Sequence, residues 1–87
     1  MKYKLLLAED EQIERLAMKK IIGLEYQDVY EIYEAENGIE AVDISLKVRP
    51  DIIFMDIKMP GMTGLEAAAK IRQTDKDVKI IFVTAYD

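Results

Sequence analysis

The sequence predicts an α/β protein in which helices cover both faces of a mostly parallel sheet. Short apolar runs alternate with longer segments whose apolar residues recur at helical spacing, in the order β-α-β-α-β-α-β along 87 residues. Capping residues mark the starts of two of the helices. Strands that alternate with helices pair in parallel, because each helix carries the chain back to the same end of the sheet.

The first part of the chain predicts a buried strand followed by an amphipathic helix. Tyr3–Ala8 is a short, largely apolar run, as expected of a strand that is buried on both faces. Gly23 is expected to close the helix or to fall just beyond it. The apolar stripe of this helix consists of Ile13, Leu16, Ala17 and Ile21.

The middle of the chain predicts a more exposed strand and a capped helix. Apolar and acidic residues alternate over Val29–Ala35, which is typical of a strand with one solvated face. Asn37 is expected to cap a helix that has Glu40 at its third position and runs to about Lys47. Pro50 ends this segment.

Two more apolar runs enclose the third helix. Asp51–Met55 and Val78–Thr84 are both predicted to be buried strands. Between them, Thr63 and Glu66 repeat the capping pattern and open a helix that runs to about Arg72.

Composition excludes several classes of function. The net charge of −5 argues against nucleic acid as a direct partner of this segment, because phosphate binding needs a basic face. The chain has no cysteine and no histidine, which excludes disulfides, cysteine zinc sites and Ser-His catalysis. The apolar runs are too short to span a membrane, and the basic start reaches acids too soon for a signal peptide. We therefore expect a cytoplasmic protein without membrane contact.

Acidic residues follow two of the buried strands. Glu9 and Asp10 come after the first strand, and Asp56 comes after the third. If these strands are neighbours, the three carboxylates converge on one crevice, where they repel each other unless protonated or bound to a cation. Oxygen ligands suit a hard cation such as Mg²⁺, and the turn at Met59-Pro60-Gly61 could present the Lys58 carbonyl to it.

Ordinary turn and cap roles are the alternative for these acids. Asp10 could simply cap the first helix. Asp56 fits that role less well, because the next helix begins only at Thr63. The residues by themselves leave both interpretations open.

Three stretches, "LLLAEDE", "PDIIFMDIKMPGMTGLE" and "IIFVTAYD", closely resemble the receiver domain of two-component response regulators. The resemblance runs from Lys4 to the last residue. It implies a flavodoxin-like doubly wound sheet, here (βα)3β with strand order 2-1-3-4. It also implies one receiver domain over residues 1–87 that is incomplete at its C-terminus, without the family's last helix-strand-helix part.

The resemblance implies a role for each acidic residue. Asp56 matches the aspartate that accepts a phosphoryl group from the phosphohistidine of a sensor histidine kinase. Glu9 and Asp10 match the pair that holds Mg²⁺, together with Asp56 and the main-chain carbonyl of Lys58. Glu9 stands where the family more often has Asp, so its contact with the ion could pass through water.

Further positions are implied around the acceptor. Thr84 matches the hydroxyl that turns toward the phosphoryl oxygens, and Ala85 matches the small residue beside it. Lys58 and Tyr86 match the positions that tune loss of the phosphoryl group to water. One hypothesis is that Tyr86 shields the phosphoaspartate; the alternative is a surface tyrosine without this role.

The family's phosphoryl-binding lysine lies in the part that this sequence lacks. The fourth strand should then be an unpaired edge, open to strand addition or self-association, and the first helix should lack a covering neighbour. We expect the chain to be weakly stable or self-associated alone. A C-terminal effector domain, which binds DNA in many relatives, could follow in a longer protein.

Three functions compete. The resemblance favours a phosphoacceptor signalling module that undergoes self-phosphorylation and slow autodephosphorylation without turning over a substrate. An aspartyl hydrolase of the haloacid dehalogenase type needs a second Asp two residues after the first, where this chain has Lys58. The third function is a non-switching structural or interaction module that keeps the site but does not relay a signal.

Overall fold

The computed structural model describes residues 2–83, which form four strands and three helices. The alternation of strand and helix agrees with the pattern in the sequence. In chain order the elements are β1 (Tyr3–Ala8), α1 (Gln12–Glu25), β2 (Tyr30–Ala35), α2 (Gly38–Val48), β3 (Ile52–Asp56), α3 (Gly64–Thr74) and β4 (Lys79–Val83).

The four strands form one parallel sheet in the order β2-β1-β3-β4, which confirms the predicted fold. Ala8 pairs with Ala35 on one side and with Met55 on the other, so β1 and β2 end at the same level and β3 ends one residue further. Asp56 is the last residue of β3 and pairs with Val83 of β4. This register brings the residues that follow β1 and β3 to one edge of the sheet.

Two apolar cores lie on opposite faces of the sheet because successive strand residues point to opposite sides. The core beneath α2 and α3 contains Leu6, Ile53 and Met55, together with Ala67 and Ile71 of α3. The core beneath α1 is smaller: it is built around Leu5, Leu7 and Ile22. Helices therefore cover both faces, as expected of a doubly wound sheet.

Side-chain caps begin two of the helices at the predicted residues. The Thr63 hydroxyl accepts from the Glu66 N–H, and the Glu66 carboxylate accepts from the Thr63 N–H, so α3 has the complete capping box. Asn37 accepts from the Glu40 N–H at the start of α2. The second bond of that site differs, because Glu40 accepts from the Glu36 N–H instead.

Helix α1 departs from its prediction in two ways. It continues through Gly23 to Glu25, so Gly23 does not end it. The stripe that includes Ile13 and Ile21 faces solvent, with those two residues 83% and 60% exposed. The helix instead packs on the sheet through the opposite side, with Arg15, Met18 and Ile22.

Strand β4 was predicted to be buried, and this prediction was wrong for most of its residues. Ile81, Phe82 and Val83 are 46%, 40% and 37% exposed. The cause is position: within residues 2–83, β4 has a neighbour on one side only. Across the same described residues, no helix is long and apolar enough to cross a membrane.

Candidate functional site

Three acidic side chains meet at the carboxyl ends of β1 and β3. Glu9, Asp10 and Asp56 each offer an oxygen, and these oxygens all lie within 4.8 Å of one another. Glu9 and Asp56 are buried, with 5% and 8% exposure, and Asp10 is intermediate. Within residues 2–83 this is the one set of three or more acidic, histidine or cysteine residues whose ligand atoms come this close. The structure therefore brings together the three acids that the sequence singled out.

The end of β1 fixes Glu9 through its main chain. The Glu9 N–H donates to the Ala35 carbonyl at 3.0 Å, which extends the pairing with β2 by one residue. The Glu9 carboxylate accepts from the Glu11 N–H at 3.0 Å. Asp10 does not cap α1, because the N-cap residue is Glu11 and it makes no side-chain cap bond. Glu9 thus contacts the start of α1 with one carboxylate oxygen, and both acids also take part in the cluster with Asp56.

Asp56 ends β3, and the loop that follows it returns close to its main chain. The Gly64 N–H donates to the Ile57 carbonyl at 2.8 Å, which brings the start of α3 against the end of the strand. A Cβ at Gly64 would collide with the Asp56 carbonyl oxygen and would lie 2.9 Å from Cγ of Met55. Gly61 has φ +81°, a left-handed conformation that favours glycine. Backbone geometry therefore explains glycine at both positions, Gly61 in the loop and Gly64 at the start of α3.

Burial and like charge raise the pKa values of the two buried acids. Burial is the largest cause for Glu9, and hydrogen bonding with Asp10 and repulsion from Asp56 add to it, so its pKa rises from 4.5 to about 8. Burial also raises the pKa of Asp56, and the Asp10 charge adds to this. Hydrogen bonds from Glu9 and from the Lys58 and Ile57 N–H groups act in the opposite direction. Burial and like charge therefore both disfavour the ionised form of Glu9 when no cation is bound.

This ligand set fits a hard divalent cation. All the converging side chains offer carboxylate oxygens. Mg²⁺ prefers oxygen ligands, whereas softer metals prefer nitrogen or sulfur. A divalent ion would stabilise the ionised carboxylates, and so would oppose the burial and the like charge that raise both pKa values. The crevice thus has the charge, the donor type and the spacing for such an ion.

Comparison with known proteins identifies the family. The model of the response regulator receiver domain matches residues 5–87. The chain belongs to the response regulator receiver domain family. Solved structures agree: response regulator TrrA of Thermotoga maritima, in complex with Mg²⁺-BeF, superposes with a TM-score of 0.89 at 42% identity, over 100% of this chain and 72% of that one.

Several curated relatives extend beyond the matched region. The receiver is 43% identical to chemotaxis protein CheY of Listeria monocytogenes over 82 residues, 94% of this chain and 67% of that protein. It is 34% identical to sporulation initiation phosphotransferase F of Bacillus subtilis, over 99% of this chain and 67% of that one. For sensory transduction protein LytT of Oceanobacillus iheyensis, at 40% identity, the matched part is only 36% of the protein. The chain thus spans between a third and two thirds of these relatives.

Some predicted site residues of the receiver stay predictions. The main chain of Lys58 lies beside Asp56, because the Lys58 N–H donates to the Asp56 carboxylate. The role of the Lys58 carbonyl as a metal ligand stays a prediction. Thr84, Ala85 and Tyr86 lie outside the described residues.

The sequence reasoning missed one buried group at this edge of the receiver, the arginine of α1. Arg15 binds the Glu9 carbonyl and two glutamates, Glu34 and Glu36, at the end of β2. One signal was available. Glu34 lies on the same face of β2 as Tyr30 and Ile32, which pack on the α1-side core. A carboxylate on this face needs a cationic partner to offset the cost of its burial.

Proposed function

We propose that Asp56 accepts a phosphoryl group from the phosphohistidine of a sensor histidine kinase, in a reaction that depends on Mg²⁺. The observation that carries the proposal is the convergence of Glu9, Asp10 and Asp56 within 4.8 Å, at the end of the sheet where parallel α/β proteins bind ligands. Family membership supports the same role.

The reaction needs a positioned nucleophile more than a strong base. A carboxylate oxygen of Asp56 forms a bond to phosphorus while the bond from phosphorus to the donor imidazole nitrogen breaks, and that nitrogen keeps the electron pair. These 87 residues contain no histidine, so the phosphohistidine donor lies outside them. Bound Mg²⁺ would supply the charge neutralisation that lets two anions approach.

Each acid has a distinct part in this proposal. Asp56 is the nucleophile and one ligand of the ion. Glu9 and Asp10 hold the ion beside it, with the Lys58 carbonyl as a further ligand. The N–H groups of Ile57 and Lys58 orient the Asp56 carboxylate. Glu9 would bind the ion in its ionised, carboxylate form.

The rest of the proposal concerns the groups around the phosphorylated aspartate and the wider protein. We propose that Thr84, which is followed by the small residue Ala85, contacts the phosphoryl oxygens. Lys58 and Tyr86 tune the rate at which the phosphoryl group is lost to water. In this role the protein is a cytoplasmic signalling module without substrate turnover, and an effector domain in a longer protein would carry the output. A Tyr86→Ala variant that loses phosphate at the wild-type rate would contradict the shielding role.

Intact-mass spectrometry tests the acceptor directly. The chain is incubated with acetyl phosphate and Mg²⁺, beside Asp56→Asn and beside a sample with excess EDTA. We expect one added phosphoryl group in the wild type and none in either control. A folded wild-type chain that binds Mg²⁺ but gains no phosphate would favour the non-switching structural module instead. Continuous release of phosphate from excess acetyl phosphate, at a rate typical of an enzyme, would favour a hydrolase.

A further inference from the structure

Arg15 is a buried cation that the proposed reaction does not use. Its side chain is only 7% exposed, although arginine on a surface helix normally keeps its charge in water. Burial of a guanidinium is tolerated only when its donors are satisfied and its charge is paired. The partners of Arg15 therefore show what the burial achieves.

The guanidinium of Arg15 joins the ends of two strands. Nη1 donates to the Glu9 carbonyl oxygen at 2.7 Å, beyond the end of β1. Nε donates to Oε1 of Glu34 at 3.0 Å, and Nη2 donates to Oε1 of Glu36 at 3.4 Å. The contact with Glu9 is to the main chain and leaves its carboxylate directed toward the crevice. One planar group thus holds β1, α1 and β2 in a fixed relation next to the acidic cluster.

Other bonds show that Glu9 is held from several sides. Its N–H donates to the Ala35 carbonyl of β2, and its carboxylate accepts from the Glu11 N–H. The Arg15 N–H donates to the Glu11 carbonyl within the first turn of α1. Arg15 completes this arrangement, because it is the group that fixes the carbonyl of Glu9 and hence the peptide leading into Asp10.

We propose that Arg15 is a positioning residue of the acidic cluster. It fixes the peptide between Glu9 and Asp10 relative to β2, so that both carboxylates stay within reach of a cation shared with Asp56. Carboxylates that repel each other move apart unless their main chain is restrained. Residues that hydrogen-bond to metal ligands commonly influence the affinity for the metal. This inference rests on the proposed function, because it assumes that the cluster binds Mg²⁺.

Lysine cannot replace arginine in this role. Its single ammonium group is a point charge, whereas Arg15 directs three nitrogens to three acceptors in different directions. A role in charge balance alone would survive Arg15→Lys, and a role in positioning would not. The two explanations therefore make different predictions for one conservative variant.

The experiment measures Mg²⁺ affinity of the folded chain by titration of ¹⁵N-labelled protein with MgCl₂. Amide peaks of the folded state give the dissociation constant separately from any change in the folded fraction. For Arg15→Met and Arg15→Lys we expect an affinity about tenfold weaker than wild type. The matched control is Lys19→Met, which removes the 3.0 Å pair with the same Glu34 but does not touch Glu9. That variant should bind Mg²⁺ within about twofold of wild type.

Each outcome decides between explanations. Wild-type affinity in Arg15→Lys would overturn the positioning role in favour of charge balance. If Lys19→Met weakens Mg²⁺ binding as much as the Arg15 variants do, the positioning role is overturned in favour of a general effect of the charge network. Loss of the fold in both Arg15 variants would also overturn it, because Arg15 would then serve the whole domain. A wild-type chain that does not bind Mg²⁺ would instead refute the proposed function itself.

Discussion

Asp56 occupies a position where its own negative charge is unfavourable until a cation binds. It is buried beside Glu9 and Asp10, and burial together with the Asp10 charge raises its pKa. A residue kept only for stability would not combine burial with like charge. The arrangement costs stability in the unliganded protein and provides a binding site in return, as functional sites often do.

We predict that Asp56→Asn stabilises the metal-free protein. Removal of one like charge should raise the free energy of unfolding by about 1 kcal/mol at pH 7 in EDTA, as measured by urea denaturation. The same substitution should abolish most of the stabilisation that the wild type gains from Mg²⁺. Asp43→Asn, on the exposed surface of α2, is the matched control and should change neither quantity. If Asp56→Asn is less stable than wild type, the hydrogen bonds of the Asp56 carboxylate outweigh its repulsion from the neighbouring acids.

Gly64 and Gly23 should respond in opposite ways to the same substitution. A Cβ at Gly64 would collide with the Asp56 carbonyl, and we expect Gly64→Ala to lower the free energy of unfolding by about 2 to 3 kcal/mol. Gly23 lies inside α1 with nothing within 4 Å of a Cβ, so Gly23→Ala should raise it by about 0.5 to 1 kcal/mol. Urea denaturation of both variants measures the contrast. A neutral Gly64→Ala would mean that the start of α3 can move away from Asp56.

At the scale of the elements, charge connects α1 to β2. Lys19 and Arg15 each lie 3.0 Å from a carboxylate oxygen of Glu34. The hydrogen bond from Lys19, followed by that from Arg15, lowers the pKa of Glu34 below its ordinary value of 4.5. Among residues 2–83, the α1-side core contains only three buried residues, so these ion pairs add to a small apolar contact.

The lowered pKa of Glu34 predicts the pH dependence of this connection. Its contribution to stability is fully present above pH 4.5 and is lost as the pH falls through the lower, folded-state pKa. Glu34→Gln should therefore be less stable than wild type at pH 7, by about 0.5 kcal/mol, and the difference should shrink toward pH 3. Urea denaturation at both pH values measures it. Glu14→Gln, on the solvent side of α1, is the control, and its stability relative to wild type should not change with pH in this way. If Glu34→Gln is less stable than wild type by the same amount at both pH values, the charge mechanism is excluded.

At the scale of the whole molecule, the described chain exposes apolar surface on two sides. The outer strand β4 exposes Ile81 and Phe82, and α1 exposes Ile13 and Leu24. Exposed edge strands with apolar side chains pair with other strands, because their unpaired N–H and C=O groups accept a new neighbour. The earlier expectation of self-association is supported by this exposure and remains a prediction.

We predict that the isolated chain self-associates through β4. Sedimentation velocity at increasing protein concentration should show a shift from monomer to larger species. Ile81→Lys should weaken the association at least about tenfold, because a charge on the edge strand opposes pairing. Leu65→Lys places the same charge at a similarly exposed apolar position on α3 and should have little effect. If Leu65→Lys weakens association as much as Ile81→Lys, then net charge and not β4 controls it.

The sequence determined the elements because their signals are local. Capping by Thr63 and Asn37 and the apolar runs of β1 and β3 depend on residues close together in the chain, and the structure confirms these predictions. The sequence predicted proximity of the acids only on the condition that the first and third strands are neighbours, and the structure meets this condition. The resemblance of its motifs to receiver domains supplied the strand order and the roles.

Only the tertiary structure decided which side of α1 is buried and what holds Glu9 in place. Periodicity marked the stripe of Ile13 and Ile21, yet the helix packs through Arg15 and Ile22 on its other side. That environment joins the end of β1 and the first turn of α1, which are neighbours in the chain, to Glu34 and Glu36 at the end of β2, which lie 19 and 21 residues beyond Arg15. No local pattern encodes it, because the free energy of burying Arg15 depends on partners that arrive only when the sheet forms.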